Sequence, residues 1–428
     1  MKIGILGGGI TGLTAGYSLA KKGHEVTVFE KEVALGGMSG GFKSPRWEWC
    51  LDKTYHHIFS NDSEVLDFAR ELEFPEVSFK TPVTASLYEG DNNYRIIPVD
   101  TPQDFLRFPY LPFVQKIRAG MIVVFLKISP FLPFYERQSA ENFLRLTMGE
   151  QAWKILWHEL FRKKFGKYAG KILSSFIWAR IKKRTRRLGY LEGGFQNFVQ
   201  YLEKANIENG VAIQKNRGIV GLHKKQNVFY MVDSQGKISD GFDGVVSTVP
   251  TPVFDQISSD LIPATYRRNW KKLRYLHSVS LIIETQKPFL SKEYWMNVCV
   301  RDIPIMGLVQ HTNFIDKSHY GNSHILYVEN YVEDASPLLQ MTKEELHAYY
   351  LPHLKKIHPD FGNEGLPKLY NFSFPFAQPI YNEDFIAARP TFETPVKNLY
   401  MANLDMTYPF DRGVNYAVSL GKKIPSFF

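Results

Sequence analysis

The stretch Lys2-Ile3-Gly4-Ile5-Leu6-Gly7-Gly8-Gly9-Ile10-Thr11-Gly12, at the start of the chain, decides the fold. Its first residues are mostly apolar and predict a strand, and the apolar spacing after Gly12 predicts a helix. Gly7 allows a tight turn, Gly9 allows the main chain to approach a pyrophosphate, and Gly12 allows close packing of helix on strand. A second apolar run, 25–29, ends at Glu30, which can accept hydrogen bonds from a ribose. This order predicts an α/β unit that binds a dinucleotide.

A second glycine-rich segment, 35–41, follows Glu30 within a few residues and reads Leu-Gly-Gly-Met-Ser-Gly-Gly. It resembles the corresponding motif of the FAD-binding superfamily of amine oxidases, protoporphyrinogen oxidases and phytoene desaturases. Members of that superfamily usually have an arginine where this chain has Met38. The resemblance implies FAD as the cofactor, with the second half of the dinucleotide held by Gly36, Gly37, Met38 and Ser39.

Segments far from the N-terminus carry the same resemblance. The order of 189–195 and 242–250, with strand-like runs between them, resembles the superfamily's return into its FAD domain. By that resemblance, Val220 holds the adenine through its main chain. Near the C-terminus, 398–403 and 411–417 resemble the last strand and the helix that meets the isoalloxazine ring. The resemblance there implies four cofactor contacts, the last two through amides directed at the flavin: Asn403, Gly413, Val414 and Asn415.

The length and composition indicate several interleaved folding units. With 428 residues, of which 44% are hydrophobic, the chain is too long for a single compact core and too apolar to be disordered. We therefore predict an α/β protein with a Rossmann-like FAD-binding domain of the GR2 type, interleaved with an α+β substrate domain and a helical insertion. The predicted FAD-binding domain is discontinuous and comprises 1–78, 188–265 and 382–428. The predicted helical insertion is 79–187, and the predicted substrate-binding sheet is 266–381.

The two cysteines, Cys50 and Cys299, form neither a disulfide framework nor a zinc motif, so a reducing cytoplasmic location is expected. No segment has the length and hydropathy of a transmembrane helix. The stretch 105–135 is rich in Phe, Leu and Pro with scattered cations. Packing of an amphipathic helix in the core is the favoured interpretation, and peripheral contact with the inner face of a membrane is the alternative.

Two adjacent histidines, His56 and His57, follow the second glycine segment. In the superfamily the corresponding stretch runs beside the flavin into the substrate pocket, so either histidine can exchange a proton there. The alternative is a structural role in a connecting loop. Tyr381 is the third candidate catalytic residue. No metal site is expected, because the histidines lack a nearby acid or cysteine cluster.

The basic segment 180–187 holds six of the cations behind the net charge of +9. If it is helical, Arg180, Arg184 and Arg187 share one face and can bind a diphosphate or a carboxylate. A solvated basic face is the alternative, and nucleic acid is not expected because no known binding module accompanies the segment. Four residues of the second insertion are also predicted to contact the substrate: Trp295, His311, Asn313 and Tyr331.

Two activities are compatible with these features. The first is an FAD-dependent oxidoreductase that takes a hydride from a C–N or C–C bond of a small molecule, either phosphorylated or isoprenoid. The second is a sugar-nucleotide isomerase resembling UDP-galactopyranose mutase, which uses reduced FAD without net redox. That resemblance rests on 57–59, 164–167 and Arg180 with Arg184, but the C-terminal Gly-Arg-Leu-Gly pattern is replaced by 403–405. A flavin-binding protein without catalysis is a third possibility, and the sequence gives no oligomeric state.

Overall fold

The computed structural model describes residues 1–91, 93–363 and 365–428. The strands of the described part are, in chain order, β1 Lys2–Leu6, β2 Glu25–Phe29, β3 Gly41–Phe42, β4 Leu51–Asp52, β5 Ile58–Phe59, β6 Val77–Lys80, β7 Val83–Glu89, β8 Tyr94–Pro98, β9 Leu188–Leu191, β10 Ala212–Gln214, β11 Ile219–Lys225, β12 Val228–Asp233, β13 Gly244–Ser247, β14 Tyr275–Thr285, β15 Glu293–Val298, β16 Gly307–Gln310, β17 His324–Val332, β18 Lys368–Pro379 and β19 Leu399–Met401.

The α-helices are α1 Ile10–Ala20, α2 Ser63–Glu71, α3 Pro102–Arg107, α4 Phe113–Ile128, α5 Leu132–Tyr135, α6 Ala140–Met148, α7 Glu150–Ala152, α8 Glu159–Phe165, α9 Ser174–Lys183, α10 Phe195–Glu208, α11 Thr251–Ile257, α12 Ala264–Trp270, α13 Lys343–Ile357, α14 Glu383–Ala388 and α15 Val414–Lys423. A wider helical turn over Trp153–His158 joins α7 to α8. Among the described helices, none combines the length and the apolar character needed to cross a membrane.

A five-stranded parallel sheet, in the order β10-β2-β1-β13-β19, forms the dinucleotide-binding half. Its central strands are buried on both faces, because α1 packs on one face and apolar side chains of the β11–β12 hairpin, Phe229 and Met231, cover the other. The carboxyl ends of β1, β2 and β13 therefore meet at one edge, where ligands bind in open α/β sheets. This architecture confirms the predicted α/β class with a Rossmann-like domain.

A seven-stranded mixed sheet, in the order β18-β14-β17-β16-β15-β7-β8, forms the second half. Five of its strands, β14 to β18, lie within 266–381, the segment predicted to form the substrate-binding sheet. β7 and β8 come from 79–187, the segment predicted to be a helical insertion. The segment forms strands here because Ala85 and Leu87 alternate with polar neighbours and are buried against this sheet. β7 pairs with β15 in parallel, so the insertion contributes two strands as well as its helices.

Helices α3 to α9 form the rest of that insertion and pack around a shared apolar core. α4 is held against the end of α9 by Lys127, whose Nζ donates to the carbonyl oxygen of Arg184 at 2.7 Å. Along α4 only Ala119 and Leu126 are buried. The core packing expected for 105–135 is therefore wrong for most of α4, since its large apolar side chains point outward.

Candidate functional site

One cavity of about 1990 Å³ connects the glycine turn after β1 with the inner side of α4. Ligand pockets usually measure roughly 300–1,000 Å³, so this cavity has room for a dinucleotide and a second molecule. Its first part is lined by both glycine segments, and its second part by aromatic and aliphatic residues of the helical insertion.

The turn between β1 and α1 has the geometry that the glycines predict. Gly7 has a φ of +103°, and a Cβ added there would lie 2.7 Å from Oγ1 of Thr248. A Cβ on Gly12 would lie 2.0 Å from the carbonyl oxygen of Gly7, so the helix could not pack where it does. A Cβ on Gly9 would meet no described atom within 4 Å, because Gly9 faces the cavity. The free amides at the start of α1 border this space and fit a pyrophosphate.

Glu30 lies at the end of β2 and lines the same part of the cavity. Its Oε2 accepts a hydrogen bond from the Gly8 amide at 2.7 Å, and its Oε1 accepts one from the Glu32 amide at 2.9 Å. The two amides fix the carboxylate while leaving further lone pairs for a ribose. The geometry fits the predicted contact.

Arg217, which sequence reasoning missed, also lines this end. Its Nε donates to Asp233 Oδ2 at 3.0 Å, and its guanidinium lies 5.3 Å from the centre of the Phe29 ring. Its Nη2 is buried and has no partner within the described residues. A buried donor without a partner beside the dinucleotide cradle fits a ligand oxygen. Arg217 also brings a cation to the cavity whose second glycine segment has Met38 where the superfamily usually has arginine. The sequence feature that points to Arg217 is its position just after β10.

The second glycine segment and Val220 line the cavity as predicted. Gly36 and Gly37 have φ values of +116° and +57°, which turn the main chain beside the first glycine segment. Met38 and Ser39 follow in a short helical turn on the cavity wall. Val220 lies where the register between β11 and β12 shifts, a bulge that directs its main chain away from regular pairing.

The start of α15 borders the cavity with Gly413 and Val414. Asn415 is in the first turn, where its amide has no partner inside the helix, while its side-chain Oδ1 accepts from the Val65 amide at 3.2 Å. The main-chain contacts predicted for this helix start stay predictions that the geometry permits.

Asn403 lines the cavity, but its side chain is engaged within the protein. Its Nδ2 donates to the carbonyl oxygen of Val249 at 3.1 Å and to Thr251 Oγ1 at 3.0 Å. Its Oδ1 accepts from the Asp405 amide. Asn403 therefore holds the loop after β19 in place. Its carbonyl oxygen also accepts from the Met406 amide at 3.0 Å, so the main-chain amide is the group left for a cofactor among the described hydrogen bonds.

His56 and His57 both line the cavity and are neutral near pH 7. Burial, with a smaller effect of Arg412, lowers the pKa of His56 to about 4. Burial, with smaller effects of Arg184 and Arg180, lowers that of His57 to about 3. His56 Nδ1 lies 2.6 Å from the carbonyl oxygen of Thr54, which can only accept, so the proton is on Nδ1 and Nε2 is an acceptor. Of the two directions of the predicted proton exchange, the geometry therefore permits acceptance of a proton by the neutral imidazole of His56.

Tyr381 lies in the core rather than at the cavity wall, contrary to its predicted catalytic place. It is 1% exposed, packs against Phe385 and Tyr408, and donates its hydroxyl to the Phe410 carbonyl oxygen at 3.3 Å. Burial raises its pKa well above the ordinary tyrosine value. A tyrosine that is satisfied in this way supports the fold and does not reach a substrate.

Two predicted substrate contacts lie away from the cavity wall, His311 in the core and Asn313 half-buried. His311 is buried, and its Nε2 lies 2.8 Å from the Tyr320 hydroxyl. Asn313 Nδ2 donates to the carbonyl oxygens of Leu290 and Glu293, both at 2.9 Å. Both side chains complete the hydrogen bonding of loops around the mixed sheet. In contrast, Trp295 and Tyr331 do line the cavity.

The basic segment does not form one continuous helical face. α9 ends at Lys183, and Arg184 has extended angles (φ −59°, ψ 128°), so the alignment of Arg187 with Arg180 is wrong. Arg187 instead lies over the Phe79 ring, 5.3 Å from its centre. Like charges four residues apart destabilise a helix, which explains its end within the basic run. Arg180 and Arg184 both line the cavity.

Two further cations join them, and we call Lys164, Arg180, Arg184 and Arg412 the cation cluster. Lys164 is in the last turn of α8, and Arg412 directly precedes α15. Both border the Tyr331 ring, with Lys164 Nζ 5.4 Å and the Arg412 guanidinium carbon 4.8 Å from its centre. Sequence reasoning missed Arg412, although its position next to the helix that meets the cofactor was a usable signal.

The far end of the cavity is apolar and borders α3, α4 and the turn before α8. It is lined by Phe105, Leu106, Ile117, Met121, Val123, Val124, Leu156, Leu160 and Phe161. On the same helices, large apolar side chains are exposed, and we call this set the apolar surface. Five of the cavity residues just named belong to it as well, so the cavity opens at this surface. The apolar surface comprises Leu106, Phe113, Val114, Ile117, Met121, Val123, Val124, Phe125, Ile128, Phe131 and Phe134.

Comparison with known proteins shows the family of the chain. The sequence profile of the flavin containing amine oxidoreductase family matches residues 10–423. A 4,4'-diapophytoene desaturase (4,4'-diaponeurosporene-forming) of Staphylococcus haemolyticus is 51% identical over 303 residues, which are 61% of this chain and 57% of that protein. The chain thus matches little more than half the length of that relative.

Two solved structures share the fold. An oxidoreductase from Methanosarcina mazei covers 99% of both chains with a TM-score of 0.76 and 19% identity. A reduced UDP-galactopyranose mutase covers 99% of this chain and 94% of its own with a TM-score of 0.73 and 15% identity. The glycine turn has the cradle that a flavin dinucleotide needs. The family profile spans nearly the whole chain and shows that the chain belongs to the flavin containing amine oxidoreductase family.

Proposed function

We propose that this oxidoreductase desaturates an isoprenoid-type substrate, taking a hydride from one carbon of a C–C bond and a proton from its neighbour. The observation that carries the proposal is the single cavity that joins the FAD cradle to the apolar wall at α4. The curated relative named above is a desaturase by its name, which agrees with this substrate class. The chemistry that bound FAD supplies is acceptance of the hydride.

The side chains of this chain supply binding, orientation and a proton acceptor. The apolar wall binds a hydrocarbon chain and excludes water from the reacting bond. Neutral His56, with Nδ1–H donated to Thr54, offers its free Nε2 as the acceptor for the proton. The two hydrogens then leave as a hydride and a proton, and a C=C bond is formed.

The charges in the cavity favour a C–C bond over the C–N bond of an amine. The cation cluster lies beside the histidines, and it lowers the pKa of both of them after the larger effect of burial. A protonated amine would be repelled by the same charges. An apolar or anionic substrate meets no such repulsion.

We also propose that the apolar surface rests peripherally on a membrane. Its eleven large apolar side chains are contiguous in α3 to α5, and Lys116, Arg118 and Lys127 lie among them. An apolar face with basic residues suits the boundary between acyl chains and anionic headgroups. Because the inner side of α4 lines the cavity, a substrate dissolved in the bilayer has a short path to the site.

The function is tested by mixing the FAD-loaded enzyme anaerobically with squalene, geranylgeraniol, geranylgeranyl phosphate or putrescine and following flavin absorbance. We expect an isoprenoid to bleach the flavin without added reductant. Bleaching by putrescine alone would contradict the proposal. Conversion of UDP-galactopyranose only after reduction by dithionite would instead support the mutase alternative.

A further inference from the structure

The cation cluster is assembled from three separate parts of the chain. Lys164 comes from α8, Arg180 and Arg184 come from α9 and its end, and Arg412 comes from the segment before α15. All four line the same cavity, and Tyr331 of β17 lies against two of them. The pyrophosphate cradle is built from β1 and α1, so the cluster is a separate site on the side of the mixed sheet.

The carboxylates that face the cluster do not balance its charge. Lys164 and Arg180 share one acceptor, Asp411 Oδ2, at 3.2 Å and 3.1 Å. Arg184 has Asp100, whose Oδ1 lies 3.8 Å from its Nη2.

The remaining acid, Glu329, faces Arg412 but is protonated at neutral pH. Burial raises its pKa to about 8, against the lowering effects of Ser280 and Arg412. Three arginines and Lys164 therefore face two carboxylates besides Glu329. Arg180 and Arg184 are 41% and 52% exposed, so an anion in the cavity can reach them, and their uncompensated positive charge favours its binding.

The guanidinium groups have donors left for such an anion. Within the described residues, Arg412 has one side-chain hydrogen bond, from Nη1 to the Ala377 carbonyl oxygen at 2.9 Å. Arg180 has one as well, to Asp411. Each guanidinium carries five N–H donors in a planar fork that matches a carboxylate or a phosphate. The cluster can therefore give several charge-assisted hydrogen bonds to one anionic group.

A lysine in the cluster is adapted to an anion that is present only part of the time. Lys164 is surrounded by the Phe176 and Tyr331 rings and by two arginines. Burial, with smaller effects of Arg180 and Arg412 and against the opposing effect of Asp411, lowers its pKa to about 7. A bound anion would add a second negative partner and hold Lys164 in its charged form.

We propose that the cation cluster binds an anionic group, a phosphate or a carboxylate, at one end of the substrate, whose apolar remainder follows the wall toward α4. The apolar half of this inference rests on the proposed function, whereas the anion site stands on the cluster alone. The substrate is then an amphiphile, and the carbons next to its anionic end lie nearest the histidines.

The test measures binding to the dithionite-reduced holoenzyme by calorimetry under anaerobic conditions, because reduced enzyme cannot accept a hydride and no turnover follows. The probes are geranylgeranyl phosphate, geranylgeranoic acid, geranylgeraniol and inorganic phosphate. We expect the phosphate or the acid to bind at least tenfold more tightly than the alcohol. Replacing one charge-assisted donor, in Arg180→Gln or Arg184→Gln, should weaken the anionic probe by about 10- to 100-fold and leave the alcohol unchanged.

The matched control is Lys167→Gln. Lys167 is also a lysine and lies three positions from Lys164, but it is paired with Glu333 on the surface. This variant should change none of the affinities. Equal affinity for alcohol and phosphate, unaffected by both arginine variants, would overturn the inference. Binding of inorganic phosphate that Arg180→Gln weakens, without any binding of the alcohol, would support the anion site and contradict the isoprenoid proposal instead.

Discussion

Removing two phenylalanines of the apolar surface should release the protein from membranes. Phe113 and Phe131 are 67% and 64% exposed, so about two thirds of each ring remains to be buried by a bilayer. Complete burial of such a side chain contributes about 1.5–3 kcal/mol, which gives about 1–2 kcal/mol for each ring here. The double variant Phe113→Ser/Phe131→Ser should therefore lose about 2–4 kcal/mol of binding, or roughly 30- to 700-fold in partitioning.

The assay is flotation of the holoenzyme with phosphatidylglycerol vesicles, with phosphatidylcholine vesicles in parallel. Ile207→Ser is the matched control, because Ile207 is 58% exposed on α10, outside the apolar surface. Neither change removes a buried contact, so thermal unfolding should shift little. The proposal that the apolar surface binds membranes would be refuted if the double variant bound as the wild type does, or if the control lost as much binding.

Three further predictions concern the cofactor site, the histidines and a buried acid. Gly12→Ala should abolish FAD retention, measured as flavin per protein, because its Cβ would lie 2.0 Å from the Gly7 carbonyl oxygen, whereas Gly120→Ala, with open space around it, should not. His57→Ala should alter turnover or the flavin spectrum with unchanged thermal unfolding, and a normal enzyme would exclude a role. The folded-state pKa of Glu329, about 8, lies above its ordinary 4.5, so the folded protein keeps a proton that the unfolded chain has lost between these values. Stability should therefore fall as pH rises from about 5 to 8, and less steeply in Glu329→Gln; equal slopes in denaturant titrations would contradict this.

The cofactor half was predictable because its contacts are local and made by the main chain. Gly7, Gly9 and Gly12 lie within six residues of one another, and each has a steric reason that sequence spacing alone expresses. Short apolar runs such as β1, β2 and β13 then indicate the buried strands of a parallel sheet. Arg217 escaped notice because its one local signal, the position just after β10, is shared by many arginines of surface turns, whereas its burial depends on the fold.

The substrate half depends on packing between segments that are distant in the sequence. Periodicity indicates that one face of α4 is apolar, but it does not indicate what covers that face. Likewise, His311, Asn313 and Tyr381 have residue types that suit a pocket, and the fold places their hydrogen-bond partners within the core. Residue type alone does not show whether such a side chain lines the pocket or is held within the core.

Arg412 joins the two halves. It directly precedes α15, whose first residues line the predicted flavin site, while its guanidinium lies on Tyr331 of the substrate sheet beside Lys164 of the insertion. The proposed anion site therefore lies where the predicted cofactor domain, the mixed sheet and the helical insertion meet. Substitutions at Lys164, Arg180 or Arg184 can change which end group is accepted without altering the glycine cradle, because they belong to a different element. Replacement of Arg412 would instead affect both halves, and its variants should change flavin spectrum and substrate affinity together.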